Sequence, residues 1–131
     1  MNKQKRTAGI YTLGCKVNQY ESEAIAEALE ARGFDIISPA SICDAYVINT
    51  CTVTAESDRK ARQFIRRAIS KNPQAAIIVT GCMAQTAPDE VTAIEGVDAV
   101  IGNSNKLLAA RLADELADSK HEQTKAIITV D

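Results

Sequence analysis

Three of the four cysteines in this 131-residue chain sit just past short apolar runs, behind Gly14, Thr50 and Gly81. Ala8–Leu13 leads into Gly14-Cys15, Ala45–Asn49 into Thr50-Cys51, and Ala75–Thr80 into Gly81-Cys82. Phe34–Ile37 and Val97–Ile101 are two further runs of the same kind. Helical patterns separate most of them. Tyr20, Ala24, Ile25, Ala28 and Leu29 follow at helical spacing. Asn18 offers that helix a cap, with Glu21 as its reciprocal partner. Gly33 ends it as a left-handed residue would. Ala61, Phe64, Ile65, Ala68 and Ile69 mark a second helix that stops at Asn72-Pro73. Thr86 and Pro88 start a short helix that finishes near Gly96. Ser104 caps a last one bearing Leu108, Leu112 and Leu116.

Strands alternating with helices predict an α/β fold, a five-stranded parallel sheet with helices on both faces. Near-continuous apolar strands fit a sheet covered on both sides. Apolar residues make up 46% and charged residues 24%, the balance of a globular domain and not of a disordered tail. Residues 1–118 are expected to form one domain. Residues 119–131 are polar before turning apolar at Ile127-Ile128, and are expected to be a linker. The net charge of -2 excludes nucleic-acid binding by bulk electrostatics, so any such contact needs a local patch or another domain. No signal peptide or membrane span is evident, and a cytoplasmic protein is expected.

In an open parallel sheet, ligands bind outside the carboxyl ends of the strands. Cys15, Cys51 and Cys82 are therefore expected on one edge. They meet only if strands 1, 3 and 4 are neighbours. The flavodoxin-like order 2-1-3-4-5 makes them so, whereas 3-2-1-4-5 puts strand 3 two places from strand 1. The short link Ser38–Asp44 tests this order. Returning along a five-residue strand and stepping two strands sideways needs roughly 19 Å, which seven extended residues reach with little to spare.

No CxxC pair occurs, so a zinc ribbon or finger is not expected. In a reducing compartment such cysteines are ligands or reactive thiols more often than disulfides. Thiolates hold iron–sulfur clusters, and helix N-termini favour anions and lower thiol pKa. Gly14 and Gly81 let the backbone approach a bulky group closely. Three ligands for four irons leave one iron open to a sulfur species or a substrate. Cys43 precedes strand 3, at the opposite end, and is expected to be structural.

Thr12-Leu13-Gly14-Cys15-Lys16-Val17-Asn18-Gln19-Tyr20-Glu21-Ser22-Glu23, Val47-Ile48-Asn49-Thr50-Cys51-Thr52-Val53-Thr54 and Thr80-Gly81-Cys82-Met83-Ala84-Gln85 carry a resemblance. With them, the chain from about Gly9 to Lys106 is similar to the N-terminal domain of the radical-SAM methylthiotransferases. Branches of that family act on isopentenyladenosine in tRNA, on a ribosomal protein aspartate, and on threonylcarbamoyladenosine in tRNA. Lys16-Val17-Asn18, Thr52-Val53-Thr54 and Arg62-Gln63-Phe64-Ile65-Arg66-Arg67-Ala68 look most like the last branch. The resemblance implies a 4Fe-4S cluster on Cys15, Cys51 and Cys82. It also implies a radical-SAM barrel with a second 4Fe-4S cluster on CxxxCxxC, S-adenosylmethionine, and an RNA-binding domain in the same chain. Methylthiolation would fall on C2 of N6-threonylcarbamoyladenosine at position 37. No CxxxCxxC occurs in these residues, so the chain is expected to be an excised domain or a natural stub, inactive alone.

Asn49 and Gln85 are expected to brace the cysteine loops or hydrogen-bond a cluster sulfur, and Asn18 either to do so or to serve as a plain helix cap. Arg59, Arg62 and Arg66 line one side of the second helix, facing either tRNA phosphates or solvent. His121 is expected at the surface. Two other classes compete. A non-catalytic flavodoxin-like module would take a flavin or phosphate at the same edge, but no glycine-rich phosphate loop appears. A thiol redox domain would need a close cysteine pair.

Overall fold

The computed structural model describes residues 6–14, 16–50, 55–81, 88–102, 106–117 and 127–129. In chain order the elements are β1 (Arg6–Thr12), α1 (Lys16–Ala31), β2 (Phe34–Ile36), β3 (Ala45–Thr50), α2 (Ala55–Lys71), β4 (Ala76–Gly81), α3 (Pro88–Thr92), β5 (Ala99–Ile101), α4 (Leu108–Ala117) and β6 (Ile127–Thr129). The strands form one parallel sheet in the order β2-β1-β3-β4-β5-β6. The predicted order 2-1-3-4-5 is the order found. One correction concerns the tail: within the expected linker, Ile127–Thr129 adds a sixth strand beside β5. Three residues suffice because an edge strand needs only one neighbour.

Two apolar layers sandwich the sheet, sorted by the alternation of side chains along each strand. Ile25 and Leu29 of α1 and Ala109, Leu112 and Leu116 of α4 pack on Ala8, Val47, Ile78 and Ile101. Ala61, Ile65 and Ala68 of α2 and Val91 of α3 pack on Tyr46, Ile48, Ile77, Val79 and Val100. The α1 stripe is narrower than its spacing predicts: Tyr20 is exposed, and the buried residue in the second turn is the polar Ser22. A second correction concerns the cap. α1 already begins at Lys16, so Asn18 is its third residue and not its N-cap. Ser104 and His121 lie outside the described residues.

The link from β2 to β3 is easier than the expected geometry. Ile36 pairs with Ala8, and Ala8 also pairs with Ala45. β2 is so short that it ends level with the start of β3, so the chain steps sideways by about 10 Å without returning along a strand. The crossing lies over Gly9. A Cβ there would stand 2.7 Å from Pro39 Cα and 3.0 Å from Cys43 Sγ, so only glycine lets the link lie flat on β1.

Candidate functional site at the carboxyl edge

The register sets the carboxyl edge. Thr12 pairs with Asn49, Asn49 with Thr80, and Thr50 with Gly81. Leu13 extends the ladder one step further, its N–H donating to Asn49 O at 2.9 Å. The chain therefore leaves three adjacent strands at one level, immediately before Cys15, Cys51 and Cys82. Those three cysteines and Gln85 lie outside the described residues, as does the side chain of Asn18.

Gly14 and Gly81 both adopt positive φ, +118° and +105°. At Gly81 a Cβ would fall 2.0 Å from Thr50 O, so any side chain is excluded by the neighbouring strand's backbone. The tight exit from β4 thus has a packing cause, with Gly81 lying against the end of β3.

Thr12, Asn49 and Thr80 make one polar row across three strands, on the face covered by α1 and α4. Apart from the Arg6–Asp114 ion pair toward the amino end, the rest of that face is apolar. Asn49 and Thr80 are fully buried. Above the row sits Lys106, only 8% exposed. Its Nζ donates to Asn49 Oδ1 at 3.0 Å and to Glu21 Oε1 at 2.8 Å. A lysine only donates, so the amide atom facing it must be the oxygen. Asn49 Nδ2 then donates to Ser22 Oγ at 3.0 Å, and Ser22 Oγ lies 2.7 Å from Thr12 Oγ1. Asn49 thus joins the end of β3 to Ser22 of α1 and to Lys106. Thr80 Oγ1 is different: it is buried and finds no hydrogen-bond partner among the described residues.

Lys106 was not singled out by any motif, because a lone lysine between a cap and a helix resembles a surface residue. The signal that points to it is the set of polar residues ending three buried strands on one face. A buried amide and hydroxyls need partners, and a buried donor above them supplies one.

At the amino end, Cys43 is 1% exposed and buried against the link. Burial pushes its thiol pKa up, against a lowering hydrogen bond with Tyr46. Its Sγ lies 3.5 Å from Ser41 O, and its N–H donates to Tyr46 Oη at 3.0 Å. This is the structural cysteine expected from its position.

On α2, Arg59 and Arg66 are exposed. Arg62 is engaged instead: Nε donates to Asp58 Oδ2 at 2.9 Å and Nη2 to Glu90 Oε2 at 3.5 Å. Arg67 reaches over the Phe64 ring. A groove of about 500 Å³ beside α2 is lined by Arg62 and Arg66 but also by Glu90 and Glu95, so its charge is balanced. The three arginines therefore do not form one open basic strip.

One feature of the edge is compatible with a bound group. The Thr80 hydroxyl, two residues before Cys82, is buried with no partner among the described residues. Among the described residues no cluster of His, Cys, Asp or Glu forms a metal group, and no helix is long and apolar enough to cross a membrane.

Residues 7–102 match the family described as "Uncharacterized protein family UPF0004". The chain is 52% identical over 100 residues to threonylcarbamoyladenosine tRNA methylthiotransferase MtaB of Bacillus subtilis, covering 76% of this chain and 22% of that protein. It is 33% identical over 132 residues to tRNA-2-methylthio-N(6)-dimethylallyladenosine synthase of Corynebacterium diphtheriae, covering 98% of this chain and 25% of that one. The chain thus spans about a quarter or less of these relatives. A solved archaeal flavodoxin superposes with a TM-score of 0.54 at 17% identity, over 89% of this chain and 99% of that one, which is a likeness of fold. With order, register and sequence in agreement, the chain belongs to the UPF0004 family, the N-terminal domain of methylthiotransferases.

Proposed function

We propose that this domain holds an auxiliary 4Fe-4S cluster on Cys15, Cys51 and Cys82, within a radical-SAM enzyme that methylthiolates N6-threonylcarbamoyladenosine at position 37 of tRNA. The observation that carries the reading is the register. Thr12, Asn49, Thr50, Thr80 and Gly81 end adjacent strands at one level, and the three cysteines follow directly. The higher identity to the threonylcarbamoyladenosine enzyme, 52% against 33%, favours that substrate over dimethylallyladenosine. The cluster would supply a sulfur-binding iron.

The chain's own residues do the positioning. Gly81 and the Leu13–Asn49 bond fix where the cysteine segments begin. Asn49, Ser22 and Lys106 hold β1, β3 and α1 together beneath them, and the Thr80 hydroxyl is available to donate to a sulfur. The barrel, its cluster and S-adenosylmethionine would come from elsewhere in the full-length protein. RNA contact from this domain falls to the exposed Arg59 and Arg66, since Arg62 is held by two carboxylates.

Nucleoside mass spectrometry of tRNA from cells lacking the gene tests the reading. The 2-methylthio form of threonylcarbamoyladenosine should vanish and the unmethylthiolated nucleoside accumulate. The wild-type gene should restore it, and the Cys51→Ala gene should not. An unchanged nucleoside profile in the deleted strain contradicts the substrate assignment.

A further inference from the structure

We infer that Lys106 is a positioning residue for the cysteine edge: it pins the Asn49–Ser22–Thr12 network and thereby fixes the strand ends from which the chain runs to Cys15 and Cys51. For its effect on iron, this inference rests on the cluster reading above. Its geometry stands independently.

Lys106 comes from the turn before α4, far along the sequence from the elements it joins. Its Nζ reaches Glu21 in α1, at 2.8 Å, and Asn49 at the end of β3, at 3.0 Å. Asn49 carries the contact to Ser22, and Ser22 carries it to Thr12 at the end of β1. Cys15 lies between Thr12 and α1, and Cys51 follows Asn49 by two residues. The residues leading to both cysteines are thus tied to the same buried cation.

The choice of lysine has an energetic logic. Burying an ammonium is costly unless it is paired and hydrogen-bonded. Here a half-exposed carboxylate and a buried amide supply the compensation. A neutral donor would hold Asn49 equally well in an uncharged site. A cation also favours a cluster of several thiolates, whose net charge is negative. It should stabilise the reduced, more negative state over the oxidised one, and so raise the reduction potential.

Lys106→Met keeps the length and removes both donor and charge. Two measurements on the 131-residue chain read its effect. In the metal-free protein with Cys43 and Cys82 changed to Ser, a short bifunctional thiol reagent should link Cys15 to Cys51. The rate should fall severalfold in Lys106→Met. In the otherwise wild-type chain reconstituted anaerobically with iron and sulfide, iron affinity should fall by about 10- to 100-fold, as for other residues that orient metal ligands. The midpoint potential of the cluster that remains should move negative.

The results separate the two ideas. If the wild-type chain takes up no iron but its cross-linking depends on Lys106, the cluster reading fails and the positioning role holds. If Lys106→Met folds, cross-links and binds iron with an unaltered potential, the positioning role is overturned. If Lys106→Met does not fold, Glu21→Gln decides, because that side chain is only partly buried. An unaltered cross-linking rate and iron content in Glu21→Gln then overturns the inference, and a fall in both supports it. The potential is not compared in this variant, because losing the carboxylate's negative charge itself moves it positive.

Discussion

The two ends of this sheet are finished in different ways. At the amino end every prominent polar group meets a partner supplied by the fold itself. Asp44 Oδ2 accepts from Thr7 N at 2.8 Å, and Asp98 Oδ2 accepts from Ile77 N at 2.8 Å. Asn72 Nδ2 donates to Cys43 O at 2.9 Å, and Tyr46 Oη donates to Ser41 O at 2.6 Å. The cysteine there is sealed in and its thiol is held neutral by burial. At the carboxyl end the polar groups are gathered into a row topped by a buried cation, and one hydroxyl finds no partner among the described residues. The contrast separates a closed structural cap from an edge whose polar row is not fully satisfied among the described residues. On the proposed function, the same residue type, cysteine, takes opposite roles according to which end it occupies.

The largest stability effect should come from the closed end. Tyr46→Phe removes the acceptor for Cys43 N–H and the donor to Ser41 O, in a buried setting. Leaving such groups unpaired costs about 1–3 kcal/mol, which urea unfolding followed by circular dichroism will measure. A change near zero would mean that the amino end is not the tightly satisfied cap described above.

The open end should respond with the opposite sign. Thr80→Val replaces an unpaired buried hydroxyl with a methyl group, and should stabilise the metal-free protein by about 1 kcal/mol. In the reconstituted protein the same substitution should weaken iron retention. A destabilised metal-free Thr80→Val would show that the hydroxyl has a partner after all.

A smaller effect appears with alkali. The folded Cys43 thiol titrates above its ordinary value of 9.0, chiefly through burial. Above pH 9 the native state therefore holds a proton that the unfolded chain has released. The stabilisation is fully present below that pH and is lost as pH rises through the folded value. Tyr46 and Tyr11 are also raised by burial, from 10.0, so their loss begins later. Urea midpoints should fall from pH 9 upward, and Cys43→Ser should delay the onset toward pH 10. Midpoints that rise over this interval would contradict the assignment of Cys43.

Much of this arrangement is legible in the residues alone. Ala76-Ile77-Ile78-Val79 and its counterparts announce buried parallel strands, and the need for the thiols to meet selects the strand order. What escapes is decided by register and by tertiary pairing. The ease of the Ser38–Asp44 link depends on β2 ending level with Ala8, which no local pattern encodes. Ile127–Thr129 is too short to stand out, and it becomes a strand only because β5 offers it an edge. Asn18 has the chemistry of a cap, yet α1 starts two residues earlier. Arg62 looks available for phosphate until Glu90 from α3 arrives beside it. Lys106 takes its meaning from Glu21 and Asn49, partners far away in sequence.

The most direct test of the central claim is iron content after anaerobic reconstitution, measured on the wild-type chain and on single variants of all four cysteines. The wild-type domain should bind about four irons per chain. Cys15→Ala, Cys51→Ala and Cys82→Ala should each abolish that, and Cys43→Ser should leave it unchanged. Full iron retention in Cys51→Ala would contradict the account.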